Sequence, residues 1–229
     1  PTGLAGLLPH LFTCGRALIP AGLTLFANHT SDATHGEKTG YSLRMVDKPL
    51  LIKGQPCELT FQLVDNETGR PLTEAELETV HTRKLHTMIV DHSLTDYHHL
   101  HPEYDPARQL FVCPFTPQLQ ASYQMWNDFT VVGENHPTYL KSELSALRGL
   151  HLQPRITHTS HQQQGELNFH ITPETPLRAG EDSRLRIDIT DQNGRPVQDL
   201  EPIMGAFAHL IGFSGDGNHF IHSHPLGEE

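Results

Sequence analysis

Apolar and polar positions alternate along this chain in short runs bounded by turn residues. In "CELTFQLVD", residues 57–65, Cys57, Leu59, Phe61 and Leu63 share one face. In "RLRIDIT", residues 184–190, Leu185, Ile187 and Ile189 do the same. "QLFVCPF" at 109–115 aligns Phe111, Cys113 and Phe115, and "ASYQMWNDFTVV" at 121–132 packs Tyr123, Met125, Trp126 and Phe129 into a last strand. A period of two marks half-buried strands, so the pattern predicts an all-β chain. One stretch departs from it. "TYLKSELSALRG", residues 138–149, reads as a short helix ending at Gly149.

The pattern also repeats. Residues 49–71, "PLLIKGQPCELTFQLVDNETGRP", and 176–196, "PLRAGEDSRLRIDITDQNGRP", share an opening Pro-Leu, a glycine (Gly54, Gly180), an alternating strand and a turn closing on Gly-Arg-Pro. A histidine-rich block follows each. This predicts two tandem antiparallel β-sandwich domains of immunoglobulin-like type, because the period is too long for a solenoid. The first runs over 41–133. Residues 134–164 form a linker carrying the short helix. The second runs over 165–229 and lacks counterparts of the last two strands of the first, so it reads as truncated at its C-terminus.

Residues 1–40 stand apart. "ALIPAGLTLFA" at 17–27 follows Arg16 and precedes polar "NHTSDATHG", which resembles a signal-peptide core and cleavage zone. That points to a periplasmic or extracellular protein, with N-terminal membrane anchoring as a variant, and it sets residues 1–40 outside the fold. The formal net charge of −11 speaks against non-specific nucleic-acid binding, which needs an excess of Lys and Arg. Three cysteines, Cys14, Cys57 and Cys113, are too few for a disulfide scaffold. Cys57 and Cys113 both face a core, as a pair in an oxidising compartment or as two buried thiols.

The unusual count is 18 histidines, against 16 Lys and Arg together. Residues 86–102, "HTMIVDHSLTDYHHLHP", align without a gap on 209–225, "HLIGFSGDGNHFIHSHP". The identities are His86/His209, His99/His222, His101/His224 and Pro102/Pro225, while hydrophobic and turn positions have drifted. Two strands around a polar turn predict a hairpin, in which His99 and His101 share a face. With residue 86 opposite 101 and residue 88 opposite 99, His86 joins that face; a slip of one residue turns it away. Three imidazoles so placed converge on one ion at metal–nitrogen distances near ~2 Å. His81 and Met204, each five residues upstream of the first histidine, are fourth-ligand candidates, since imidazole and thioether both suit copper. His92, His98 and His219 have no equivalents and read as solvated or outer groups. Ligands must be deprotonated, so affinity is expected to fall as pH drops through the imidazole range near ~6.5.

The two histidine blocks resemble those of uncharacterised bacterial exported proteins with paired Ig-like domains and a His…HxHP motif in each half. They are loosely similar to the CopC-like and YtkA-like β-sandwiches of periplasmic copper handling. The resemblance covers residues 41–229 and implies His81, His86, His99 and His101 as the first site and His209, His222 and His224 as the second. It implies an exported copper or zinc carrier, buffer or resistance protein, and the methionines tilt the choice toward copper. Its partners would be the metal ion and a membrane metal transporter or another exported metal protein. Two alternatives stand beside this. A structural or adhesive module would use the histidines only to fix the hairpin. A zinc-dependent hydrolase would use a His₃ ion with an open position, but Glu103 has only Leu226 as its counterpart, and no G-x-S-x-G, H-E-x-x-H or P-loop motif is present.

Overall fold

The computed structural model describes residues 15–18, 23–27, 40–47, 49–80, 82–146, 160–178, 183–201, 207–214, 218–223 and 225. In chain order the strands are β1 (Gly15–Leu18), β2 (Leu23–Ala27), β3 (Tyr41–Met45), β4 (Cys57–Asp65), β5 (His86–Asp91), β6 (Tyr97–Leu100), β7 (Glu103–Asp105) and β8 (Leu110–Phe115). There follow β9 (Tyr123–Phe129), β10 (Thr138–Leu144), β11 (His161–Gln164), β12 (Leu167–Pro173), β13 (Ser183–Thr190), β14 (Asp199–Glu201), β15 (Leu210–Phe213) and β16 (Phe220–Ser223). Among the described residues the only helical element is a 3-10 turn, Glu74–Glu76. No helix there is long and apolar enough to cross a membrane. The fold is all-β, and the named strands pair antiparallel throughout.

The chain divides into two compact units: a central unit, His35–Pro154, and a split unit built from Pro1–Thr34 and Arg155–Glu229. In the central unit one sheet runs β3-β4-β8-β7 and the other β10-β9-β5-β6. Their inner faces supply one core. Leu59, Phe61, Phe111 and Cys113 come from the first sheet, and Ile89, Tyr123 and Met125 from the second. The alternation of β4 and β8 thus becomes one wall of a sandwich, with Phe61 stacked on Phe111. Cys57 and Cys113 are free thiols on this wall. Burial, and after it the neighbouring Cys57, pushes the Cys113 thiol up to about 12, which makes it a poor metal ligand.

The repeated Gly-Arg-Pro segments are repeated turns. Asp65 Oδ1 accepts from the backbone N–H of Glu67 and Thr68 at 2.8 and 3.0 Å. Asp191 Oδ1 accepts from those of Asn193 and Arg195 at 2.8 and 2.9 Å. Gly69 and Gly194 follow at φ +70° and +75°, where a side chain is strained.

In the split unit the sheet runs β11-β12-β13-β2, with β15-β16 as a hairpin and β1-β14 as a short pair. Phe169, Ile171, Leu185, Ile187 and Leu210 share its core. Here the expectation for residues 1–40 needs correcting. Residues 15–18 and 23–27 are strands of this unit, not a segment outside the fold. Moreover, β2 lies on β13 in the register that β8 takes on β4. Leu25 pairs with Leu185 as Cys113 pairs with Leu59, and Leu23 with Ile187 as Phe111 with Phe61. The slot held by 111–115 in one unit is held by 23–27 in the other.

A second correction concerns the linker of 134–164 and its helix. Residues 138–144 form β10, paired along its whole length with β9, and 161–164 form β11 on β12. Leu140 and Leu144 are both buried. A spacing of four puts two side chains on one face of a helix and equally on one face of a strand. The open edge of β9 decides between them.

Candidate metal centre

The site is built on the β5–β6 hairpin. Thr87 pairs with Leu100, Met88 with His99 and Val90 with Tyr97. This is the register that places His86, His99 and His101 together. The turn enforces it. Asp91 accepts from the backbone N–H of Ser93, Thr95 and Asp96 at 2.7, 2.8 and 2.8 Å, and also from the Ser93 hydroxyl. Leu94 sits at φ 60° to close it. β5 lies between β6 and β9, and both of its faces are buried. Ile89 turns into the core, so His86, Met88 and Val90 occupy the opposite face.

Three imidazoles converge there. His86 Nδ1 lies 3.2 Å from His99 Nε2 and 3.3 Å from His101 Nε2. The ligand nitrogens of the three all fall within 4.8 Å of one another. Ring centroids stand 4.9 to 5.5 Å apart. His86 is only 3% exposed, while His99 and His101 are half-buried, so the cluster is anchored inside and open on one side. The far nitrogen of His86, Nε2, donates to the Val80 carbonyl at 3.1 Å. That bond puts the proton on Nε2 and leaves the Nδ1 lone pair directed at the other two rings.

These distances discriminate. Two nitrogens bound at ~2.0–2.1 Å to one tetrahedral ion stand about 3.3 Å apart, which is the spacing from His86 Nδ1 to each of the other two rings. A purely hydrogen-bonded cluster would ask the single Nδ1 lone pair to accept from two rings at once, both at the long end of the normal range. An ion uses one lone pair from each ring. Among the described residues the set has three imidazole donors and no carboxylate.

The hairpin of the split unit brings a corresponding histidine pair together. His209 Nδ1 lies 3.3 Å from His222 Nε2. Its turn closes with a hydroxyl instead of a carboxylate: Ser214 Oγ accepts from the N–H of Asn218 and His219 at 3.1 and 2.9 Å. His81, Met204 and His224 lie outside the described residues. The three histidines without equivalents, expected to be solvated or outer groups, lie elsewhere on the two hairpins. His98 alternates to the core side of β6, where it meets Asp96 at 2.9 Å and the Phe115 ring. His92 pairs with Glu143 at 3.1 Å. His219 sits at the split unit's turn, its carbonyl accepting from Ser214 N–H.

Two features escape a sequence reading. One is the Val80 carbonyl, a backbone group that no side-chain pattern reveals. The other is Asp128, which β9 places directly across from His86. It is not among the converging ligands. Only knowledge that β9 flanks β5 would have found it.

Two stretches of the chain, 36–145 and 161–229, match one family model, described as Domain of unknown function (DUF8832). The two matched segments are consistent with a repeated domain. No curated protein matches the chain.

Proposed function

The chain belongs to this family of undescribed activity, and on that premise we propose that it binds a transition-metal ion through His86, His99 and His101 and serves as a metal carrier or buffer. The observation that carries the reading is the convergence of three imidazoles, with His86 Nδ1 3.2 and 3.3 Å from the Nε2 atoms of His99 and His101. Three ligands on a half-open face leave a position for exchange, as a carrier requires. Copper is favoured over zinc. Imidazole suits both, but Met88 is buried on the same face, in register with His99, and a thioether neighbour suits Cu(I). The resemblance to exported copper-handling sandwiches supports the same choice and a membrane transporter or another exported metal protein as exchange partner. Hydrolysis by a metal-bound water is less well supported, because Glu103, the carboxylate that follows the first motif, has only Leu226 as its counterpart in the second.

The test is a copper and zinc titration of the apo protein beside His99→Ala/His101→Ala, with circular dichroism to show that the variant folds. The expected result is the loss of one bound ion per chain in the variant. Equal uptake by wild type and folded variant would sink the reading.

A further inference from the structure

We infer that the Met88 thioether is the fourth ligand of the central unit's site, so that His86, Met88, His99 and His101 together take a monovalent copper ion in preference to zinc or cupric ion. This rests on the reading of the three histidines as a metal centre and fixes the ion and its valence.

The ladder sets four side chains at the corners of one square. Met88 pairs directly with His99, and Thr87 with Leu100, which puts His101 at the next step, facing His86. Residues two apart on a strand share a face, so 86, 88, 99 and 101 lie on one side of the sheet. Three corners are the converging imidazoles, and the fourth is Met88. Directly opposed Cβ atoms stand about 4.5–5.5 Å apart and diagonal ones about 7–8 Å. An unbranched side chain with three rotatable bonds spans such gaps. Met88 is 0% exposed, yet the core between the two sheets is filled from β5 and β9 by Ile89 and Met125. On its other flank Met88 pairs with Trp126, itself 2% exposed. Trp126, Met88 and His99 thus form one row, in which the thioether is shut off from water.

Donor chemistry and charge point to the same ion. Imidazole and thioether are neutral donors, and among the described residues no carboxylate joins the converging group. The cost of burying an ion grows with the square of its charge, so a neutral donor set on a half-buried face favours a monocation over a dication. Thioether sulfur is a soft ligand suited to Cu(I), whereas zinc takes thiolate, imidazole and carboxylate. The thioether enters from the buried side, which leaves the half-open side to an incoming ligand. The other hairpin shows that packing does not call for sulfur. There Ile211, 1% exposed, pairs with His222 as Met88 pairs with His99. A hydrocarbon side chain fills the same position in the same register.

The experiment is an anaerobic titration of the full chain with Cu(I) against a chromophoric cuprous chelator, beside a zinc titration. Wild type is compared with Met88→Leu, Met88→Ile and His99→Ala/His101→Ala, with circular dichroism to check folding. Leucine nearly conserves the volume, and isoleucine is what the other hairpin carries. Both Met88 variants are expected to lose at least about tenfold in Cu(I) affinity and to keep zinc affinity within about twofold. X-ray absorption at one equivalent of Cu(I) should show sulfur bound to copper in wild type and none in Met88→Leu. A shell of nitrogen alone in wild type, which needs no variant to read, would overturn thioether ligation. Equal Cu(I) affinity in wild type and the folded Met88 variants would do so too, and both results leave the three-histidine centre standing. Equal losses for Cu(I) and zinc would reduce Met88 to packing of the hairpin. Cu(I) held undiminished by the histidine variant would put the cuprous ion elsewhere on the chain. Neither ion bound by wild type would overturn the centre itself.

Discussion

Asp96 shows how one side chain beside the site serves the fold and not the chemistry. It lies on the core side of the hairpin and accepts from His98 Nε2 at 2.9 Å, Gln118 N–H at 2.7 Å and the Tyr123 hydroxyl at 2.5 Å. Burial pushes its carboxyl up, but the bonds from His98, Tyr123 and Gln118 outweigh it and hold the group below the usual carboxylate range. Burial and the Asp96 carboxylate in turn push the Tyr123 phenol up. Asp96→Ala leaves these donors buried without an acceptor and is expected to cost about 3 kcal/mol in a urea titration. The sign of the pH effect follows. Because the folded-state value is the lower one, the contribution is full above the unfolded value near ~3.9 and is lost as pH falls through the folded value. The gap between wild type and Asp96→Ala should therefore narrow in melts below pH 4. A gap unchanged down to pH 2 would show that the carboxylate charge is not what the three donors hold.

The element that matters is the hairpin, because its register decides whether three histidines meet or only two. Asp91 closes the turn with a carboxylate, and Ser214 closes its counterpart with a hydroxyl. The residues differ and the task is the same: to accept the N–H groups that a tight turn leaves unpaired. Asp91→Ala is expected to destabilise the central unit by about 1–2 kcal/mol and to weaken metal binding. Asp91→Ser should recover part of both, as the second hairpin already does it that way. Identical losses for the two variants, read by thermal melts and metal titration, would mean that register is set by the strands alone.

At the scale of the molecule, each unit has its own core. The split unit draws β1 and β2 from the start of the chain, and β2 covers the edge of β13 in the slot that β8 fills on β4. An uncovered edge strand invites pairing with other chains. Deleting residues 1–34 is expected to lower the melting of the split unit and promote association, while the central unit keeps its transition and its ion. Calorimetry with light scattering reads both effects. An unchanged profile would mean that β2 contributes no stability to β13. A bound ion should raise the central transition in either protein, by about 2.7 kcal/mol at a hundredfold excess over Kd.

By itself the sequence determined the all-β class, the repeat, the alternating faces of β4, β8, β9 and β13, and the three-histidine spacing with its register condition. All of these are local: a strand's period and a hairpin's index arithmetic lie within a few residues. Only the tertiary structure decided that Leu140 and Leu144 belong to a strand, that the apolar run at 17–27 yields strands of the split unit, that Asp128 faces His86, and that the Val80 carbonyl sets the tautomer of His86. An amphipathic strand carries no label for its partner, and a backbone carbonyl carries no side-chain signal. Those choices are settled by which edge is open and which donor needs an acceptor once the sheets have packed.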